Sequence, residues 1–171
     1  MWLLPRSGPP PAAGFSFTEI LIVLLIFSLL SVLSVPPLLE YYARQTADSY
    51  IQQFRQEMTF ARVKAVVQGY DVLVCPKSST ACDGLWSGSP IHITLLSNPP
   101  AVLKTISGLP SGHRLYYNRQ QLRFRHDGSL NALQNGTFLY CVRDYQWHFQ
   151  LTLSQAGRSQ LSLQQQACPK L

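Results

Sequence analysis

The chain carries no glycine-rich phosphate loop, no nucleophile elbow, and no serine, histidine and aspartate in an order that suggests a triad. Enzyme chemistry is therefore not expected, and neither is a cofactor. Metal chemistry is equally thin. His92, His113, His126 and His148 and the four cysteines form no close ligand pairs of the C-x-x-C or H-x-x-x-H kind, so no metal site is expected. Internal repeats and low-complexity tracts are also missing. Asp127 beside His126 and Asp144 beside Tyr145 read most simply as turn and surface residues. Acidic residues are scarce, 8 against 14 Lys and Arg, which leaves a net charge of +6.

What stands out is Glu19, a single carboxylate with an apolar run from Ile20 to Leu30 directly behind it. An ionised carboxylate in hydrocarbon is costly unless paired or displaced to the interface, so a charge in this place is functional by default. A positive charge delivered into the same apolar layer would be its natural partner. Cutting after Gly14 would make one, the amine of Phe15. The 21 residues from Phe15 to Val35 reach about 30 Å as a helix, the thickness of a bilayer core. Pro36-Pro37 then predicts a kink or local melting of the helix, because proline removes a donor and clashes with the preceding turn. A cleavable secretory signal would place small residues after its apolar core, whereas here Ser34-Val35-Pro36-Pro37 runs on into a helical pattern.

The stretch Gly14-Phe15-Ser16-Phe17-Thr18-Glu19 resembles the processing site of the type IV prepilins and type II secretion pseudopilins. The resemblance implies that a prepilin peptidase cleaves after Gly14 and that Phe15 is methylated. It also implies that Glu19 neutralises the N-terminal amine of a neighbouring subunit. Pro36 stands where many members carry a helix-bending proline. Residues 1–14 then form a leader, 15–37 a transmembrane and assembly helix, and 38–171 a periplasmic domain. The leader has Arg6 as its one charged side chain, and this with the amino terminus orients it toward the cytoplasm. The expected location is the inner membrane, single-pass, and afterwards the filament.

In that oxidising compartment Cys75, Cys82, Cys141 and Cys168 form an even set with three pairings open. Local closure is easiest for Cys75 with Cys82. A Cys141 to Cys168 bridge would tie down a C-terminus that otherwise frays.

Beyond the prolines, Ala47, Ile51, Phe54, Met58, Ala61 and Ala65 recur at spacings of four and three, one apolar stripe on a helix of about 38–69. The opposite face holds Gln52, Gln53, Arg55, Gln56, Glu57 and Arg62, and Gly69 predicts a left-handed cap. The stripe covers too few heptads for a coiled coil and is expected to bury against its own domain. From Asp71 on, short β-branched or aromatic runs alternate with turn formers, including Asp127-Gly128, Asn135-Gly136 and Ala156-Gly157. Asn135-Gly136 predicts a hairpin turn. The class is α+β, a long N-terminal helix packed on an antiparallel β-sheet domain.

Ala61-Arg62-Val63-Lys64-Ala65, Cys75-Pro76, Cys82, Trp86-Ser87-Gly88 and Phe124-Arg125-His126-Asp127-Gly128 resemble the GspH/FimT subgroup of minor pilins and pseudopilins. The resemblance implies a pilin-like fold and a structural subunit at or near the tip of a type IV pilus or a type II secretion pseudopilus. The implied partners are the prepilin peptidase, the inner membrane and other pilins or pseudopilins.

DNA is the alternative partner. From Lys104 on there are eight Lys or Arg against two acids. A basic face of this kind, with Arg123, Arg125, Arg143 and Arg158, would hold a phosphate backbone. Some FimT-type pilins are known for DNA uptake through a C-terminal Gly-Arg-x-Arg turn. The corresponding turn here is Gly157-Arg158-Ser159-Gln160, and Gln160 removes one of two adjacent phosphate contacts. A solubilising basic surface is the plainer reading.

Overall fold

A computed structural model describes residues 14–77 and 81–169, apart from the side chains of 33–36. Residues 1–13 of the expected 1–14 leader, and the side chain of Pro36 at the expected kink, fall outside the described residues. One helix, α1 (Phe17–Gln68), is followed by eight strands: β1 (Val72–Pro76), β2 (Ile91–Leu95), β3 (Ala101–Ile106), β4 (His113–Tyr117), β5 (Leu122–Phe124), β6 (Gly136–Val142), β7 (His148–Leu153) and β8 (Ser159–Gln164). The chain divides into two units, one ending at Tyr41 and the other running from Tyr42 to Leu171.

In the first unit, Ser16 opens the helix, its carbonyl accepting from the amides of Glu19 at 3.0 Å and Ile20 at 3.2 Å. Glu19 stands in the first turn, where the helix dipole favours a negative charge. The apolar residues that follow are all exposed, from Ile20 at 49% to Phe27 at 69%.

In the second unit the helix ends where a glycine lets it. Gly69 takes φ of +69°, and its amide donates to the carbonyl of Ala65 at 3.0 Å. The apolar stripe is buried along its length, from Ala47 to Ala65, none of its six residues exceeding 1% exposure. Phe54 meets the ring of Phe138 edge-on at 5.0 Å, and Tyr50 stacks on Tyr140 at the same distance. Burying such a side chain contributes about 1.5–3 kcal/mol, so truncating Phe54 to alanine would cost roughly 3–5 kcal/mol.

The strands form two antiparallel four-stranded sheets, ordered β3-β2-β1-β5 and β4-β6-β7-β8. The first buries Val72, Val74, Ile91, Ile93 and Leu95; the second buries Leu115, Phe138, Tyr140, Phe149, Leu151 and Leu153. The loop between β1 and β2 fastens one sheet to the other. Trp86 is buried there against Tyr117 and Phe138, and its Nε1 donates to the Arg119 carbonyl at 2.8 Å. Ser87 Oγ donates to the Leu115 carbonyl at 2.6 Å and accepts from the Leu115 amide at 2.8 Å, so a hydroxyl takes the place of a neighbouring strand at that point of β4.

Two sequence expectations are corrected here. Asn135-Gly136 makes no hairpin: Gly136 is the first residue of β6, and the residue before it with positive φ is Leu133, at 62°. Glycine is required at 136 for another reason, since a Cβ there would stand 2.2 Å from Asn118 Oδ1 and 2.9 Å from the ring of Tyr117. Glu57 does not stand on the face opposite the buried stripe. It is buried and accepts from Lys104 Nζ of β3 at 2.5 Å, which removes one lysine from the free positive charge of the C-terminal half.

Candidate functional site

Gly14, Phe15 and Ser16 lie ahead of the helix, and Phe15 and Phe17 are 80% and 76% exposed. The spacing from Ser16 to Glu19 is that of a capping box, in which the glutamate would turn back onto its own helix end. The side chains do otherwise. Ser16 Oγ shares a 2.8 Å hydrogen bond with Thr18 Oγ1, and among the described residues Glu19 makes neither an ion pair nor a side-chain hydrogen bond. A carboxylate left free beside an exposed apolar helix is available to a group from outside the chain. Among the described residues no single helix is long and apolar enough to cross a membrane, although Phe17–Val32 and Pro37–Gln68 together meet that requirement by length and composition.

The structure joins Cys75 to Cys82 across a Cα separation of 5.6 Å and Cys141 to Cys168 across 5.9 Å, both ordinary for disulfides. The first ties the β1–β2 connection back to the end of β1, four residues ahead of Trp86. The second fixes the segment after β8 against the end of β6. There, His148 is fully buried with Nδ1 3.0 Å from the carbonyl of Gln166, which adds a second tie to the same segment.

Of the four arginines considered for DNA, Arg143 is set apart from Arg158, whereas Arg125 and Arg158 stand in the two turns that meet at Gly128 and Gly157. Arg123 on β5 has its Nε 3.0 Å from Asp71 Oδ2, off the line of a hydrogen bond but a close ionic contact. Asp71 also accepts from the His126 amide at 3.0 Å. Arg125 is 4.0 Å from Asp127, whose carboxyl is held below the ordinary range chiefly by the hydrogen bond from the Ser129 hydroxyl. Arg143 follows the end of β6, beside the Cys141 pairing with His148, whereas Arg158 lies in the β7–β8 turn, beside the pairing of Leu153 with Ser159. The length of β7, about 17 Å, separates those two ends. Gln160 is exposed on β8 and supplies no charge beside Arg158.

Other polar groups serve the core. Tyr117, raised to about 12 by burial, donates to the Gln134 carbonyl at 2.5 Å. Tyr140, raised by burial and then by Tyr50, has its hydroxyl 2.6 Å from His113 Nδ1, and burial pushes that imidazole down. No group of three or more His, Cys, Asp or Glu that could hold a metal occurs among the described residues.

A contact not foreseen from the sequence joins the helix to two turns. Arg62 Nε donates to the Gly128 carbonyl at 2.9 Å, and Gly157 packs on that same oxygen. The visible trace of it is the arginine of Ala61-Arg62-Val63-Lys64-Ala65 and the two turn glycines. That they meet depends on strands far apart in the chain.

A helix buried by one stripe against two small antiparallel sheets, behind an exposed apolar N-terminal helix, is the architecture of a pilin-like subunit. The model of the family described as type II transport protein GspH matches residues 51–157, and the chain belongs to this family. Two crystal structures of the Pseudomonas aeruginosa type IV minor pilin FimU share its fold. One aligns with a TM-score of 0.60 at 22% identity, covering 75% of this chain and 99% of that one. The other aligns with a TM-score of 0.56 at 22% identity, covering 72% and 99%. No curated protein sequence matches the chain.

Proposed function

We propose that the chain is a minor subunit built by its N-terminal helix into a type IV pilus or a type II secretion pseudopilus, at or near the tip. In this reading residues 1–14 are removed by a prepilin peptidase and the amine of Phe15 is methylated. Residues 15–37 sit in the inner membrane until assembly, and 38–171 lie in the periplasm. Its role is structural, through other pilins or pseudopilins.

One observation carries the reading. The helix from Ile20 to Leu30 is apolar but for Ser28, its large side chains are about half exposed or more, and nothing among the described residues covers them. Such a surface is stable only in lipid or against other apolar helices. Glu19, free at its N-terminal end, supplies the charge that selects and registers a neighbour's amine.

Glu19→Val is the test. The substitution makes the segment more apolar, so membrane insertion does not suffer, but it removes the partner of the neighbour's amine. The expected result is a membrane-inserted, leader-free variant absent from sheared filaments and from cross-linked tip complexes. Wild-type amounts of the variant in those fractions would refute the assembly role.

A further inference from the structure

At the end of the second sheet marked by the Cys141–Cys168 bridge lies a groove of about 380 Å³, lined by Arg114, Tyr116, Arg143, Asp144, Tyr145 and the disulfide itself. The strand register brings the two arginines together. Arg114 of β4 is paired with Cys141 of β6, and Arg143 stands two residues further along the β6 line, its amide donating to the Gly112 carbonyl at 2.9 Å. Residues in that diagonal relation share one face of a sheet at about 7–8 Å. Both side chains are exposed. Among the described residues neither makes an ion pair, although Asp144 lines the same groove. Arg114 Nη1 donates to Tyr116 Oη at 3.3 Å, which steadies one guanidinium beside an aromatic wall.

Two like charges held side by side repel each other, and an anion placed between them relieves that repulsion. We infer that this groove is a docking site for a carboxylate-bearing segment of a partner protein, an acidic loop or chain terminus whose carboxylate is gripped by Arg114 and Arg143 and whose stem packs on Tyr116 and Tyr145. The guanidinium fork matches a planar carboxylate in bidentate fashion. A nucleic acid fits less well. A phosphodiester strand needs a track of cations along its length, whereas this groove offers a single pair, Arg114 and Arg143. The inference stands on the second sheet alone and does not rest on assembly through Glu19.

The test uses the full chain in detergent and a fluorescent hexaglutamate peptide, with an oligothymidylate of equal charge as the competing probe. Hexaglutamate is expected to bind saturably to wild type, about tenfold more weakly to Arg114→Gln and to Arg143→Gln, and equally well to Arg119→Gln, an exposed arginine beyond the other end of β4. Absence of saturable binding, or the same loss in Arg119→Gln, would overturn the site. Tighter binding of the oligothymidylate that is lost in the same two variants would replace the protein partner with a nucleic acid. Near-ultraviolet circular dichroism matching wild type shows that a variant retains the fold, and the two arginine substitutions test the same groove independently.

Discussion

Gly157 packs directly on the backbone of Gly128: a Cβ built on Gly157 would stand 2.2 Å from the Gly128 carbonyl oxygen and 3.0 Å from Arg62 Nε. That oxygen is the one Arg62 donates to. Two turns, one after β5 and one between β7 and β8, thereby meet the C-terminal part of α1 at one oxygen. Gly157 has φ of +73° and Gly128 +79°, so neither position suits a side chain.

Gly157→Ala should therefore be costly, on the order of 2 kcal/mol, from strained φ and lost contact together. The neighbouring exposed Ala156→Ser should fall within about 0.5 kcal/mol of wild type. Denaturant unfolding of the full chain in detergent measures both. An unfolding midpoint for Gly157→Ala equal to wild type would show that the turn relaxes away from Gly128.

Gly14→Val separates processing from folding. A Cβ at Gly14 meets nothing within 4 Å, so the chain's own structure makes no demand for glycine there. A prepilin peptidase would make one, since a branched side chain obstructs an extended peptide in its site. Intact-mass measurement should show the leader removed from wild type and retained in Gly14→Val, with the folded domain unchanged. Equal removal from both would end the prepilin reading.

The two disulfides should differ in worth. Cys75 and Cys82 are 7 residues apart, Cys141 and Cys168 are 27 apart, and a longer loop loses more unfolded-state entropy when closed. Cys168→Ser should destabilise by about 1 kcal/mol more than Cys82→Ser on that ground. Loss of the Gln166 contact with buried His148 adds to it. Thermal or denaturant unfolding of the two variants under oxidising conditions ranks them, and the reverse order would contradict the loop argument.

Mild acid should weaken the domain through His113. Burial lowers its pKa below the ordinary 6.5, so the unfolded chain binds the proton more readily than the folded one. Its contribution is then fully present above pH 6.5 and is lost as pH falls below that value toward the folded pKa. The imidazole faces Tyr140, itself neutral throughout this range because burial raises it. His113→Gln should flatten the pH dependence of unfolding between pH 7.5 and 5. A variant that keeps the full slope would place the proton uptake elsewhere.

The sequence by itself determined the local elements and the family. The period of the stripe from Ala47 to Ala65, the cap at Gly69 and the run of short strands were readable because each depends on residues within a few positions of one another. The α+β class followed from them. Only the tertiary structure decided how the strands divide. β5 pairs with β1, and β4 pairs with β6, making two sheets joined at Trp86 and Ser87 instead of one. That division put Glu57 under Lys104, gave Gly136 a steric duty in place of a turn, and set Arg143 at the opposite end of β7 from Arg158 while bringing Arg114 and Arg143 to one groove. Periodicity records which face of a strand is apolar. Which distant strand lies beside it is settled by the packing of the whole core, and that information is not held in any short stretch of chain.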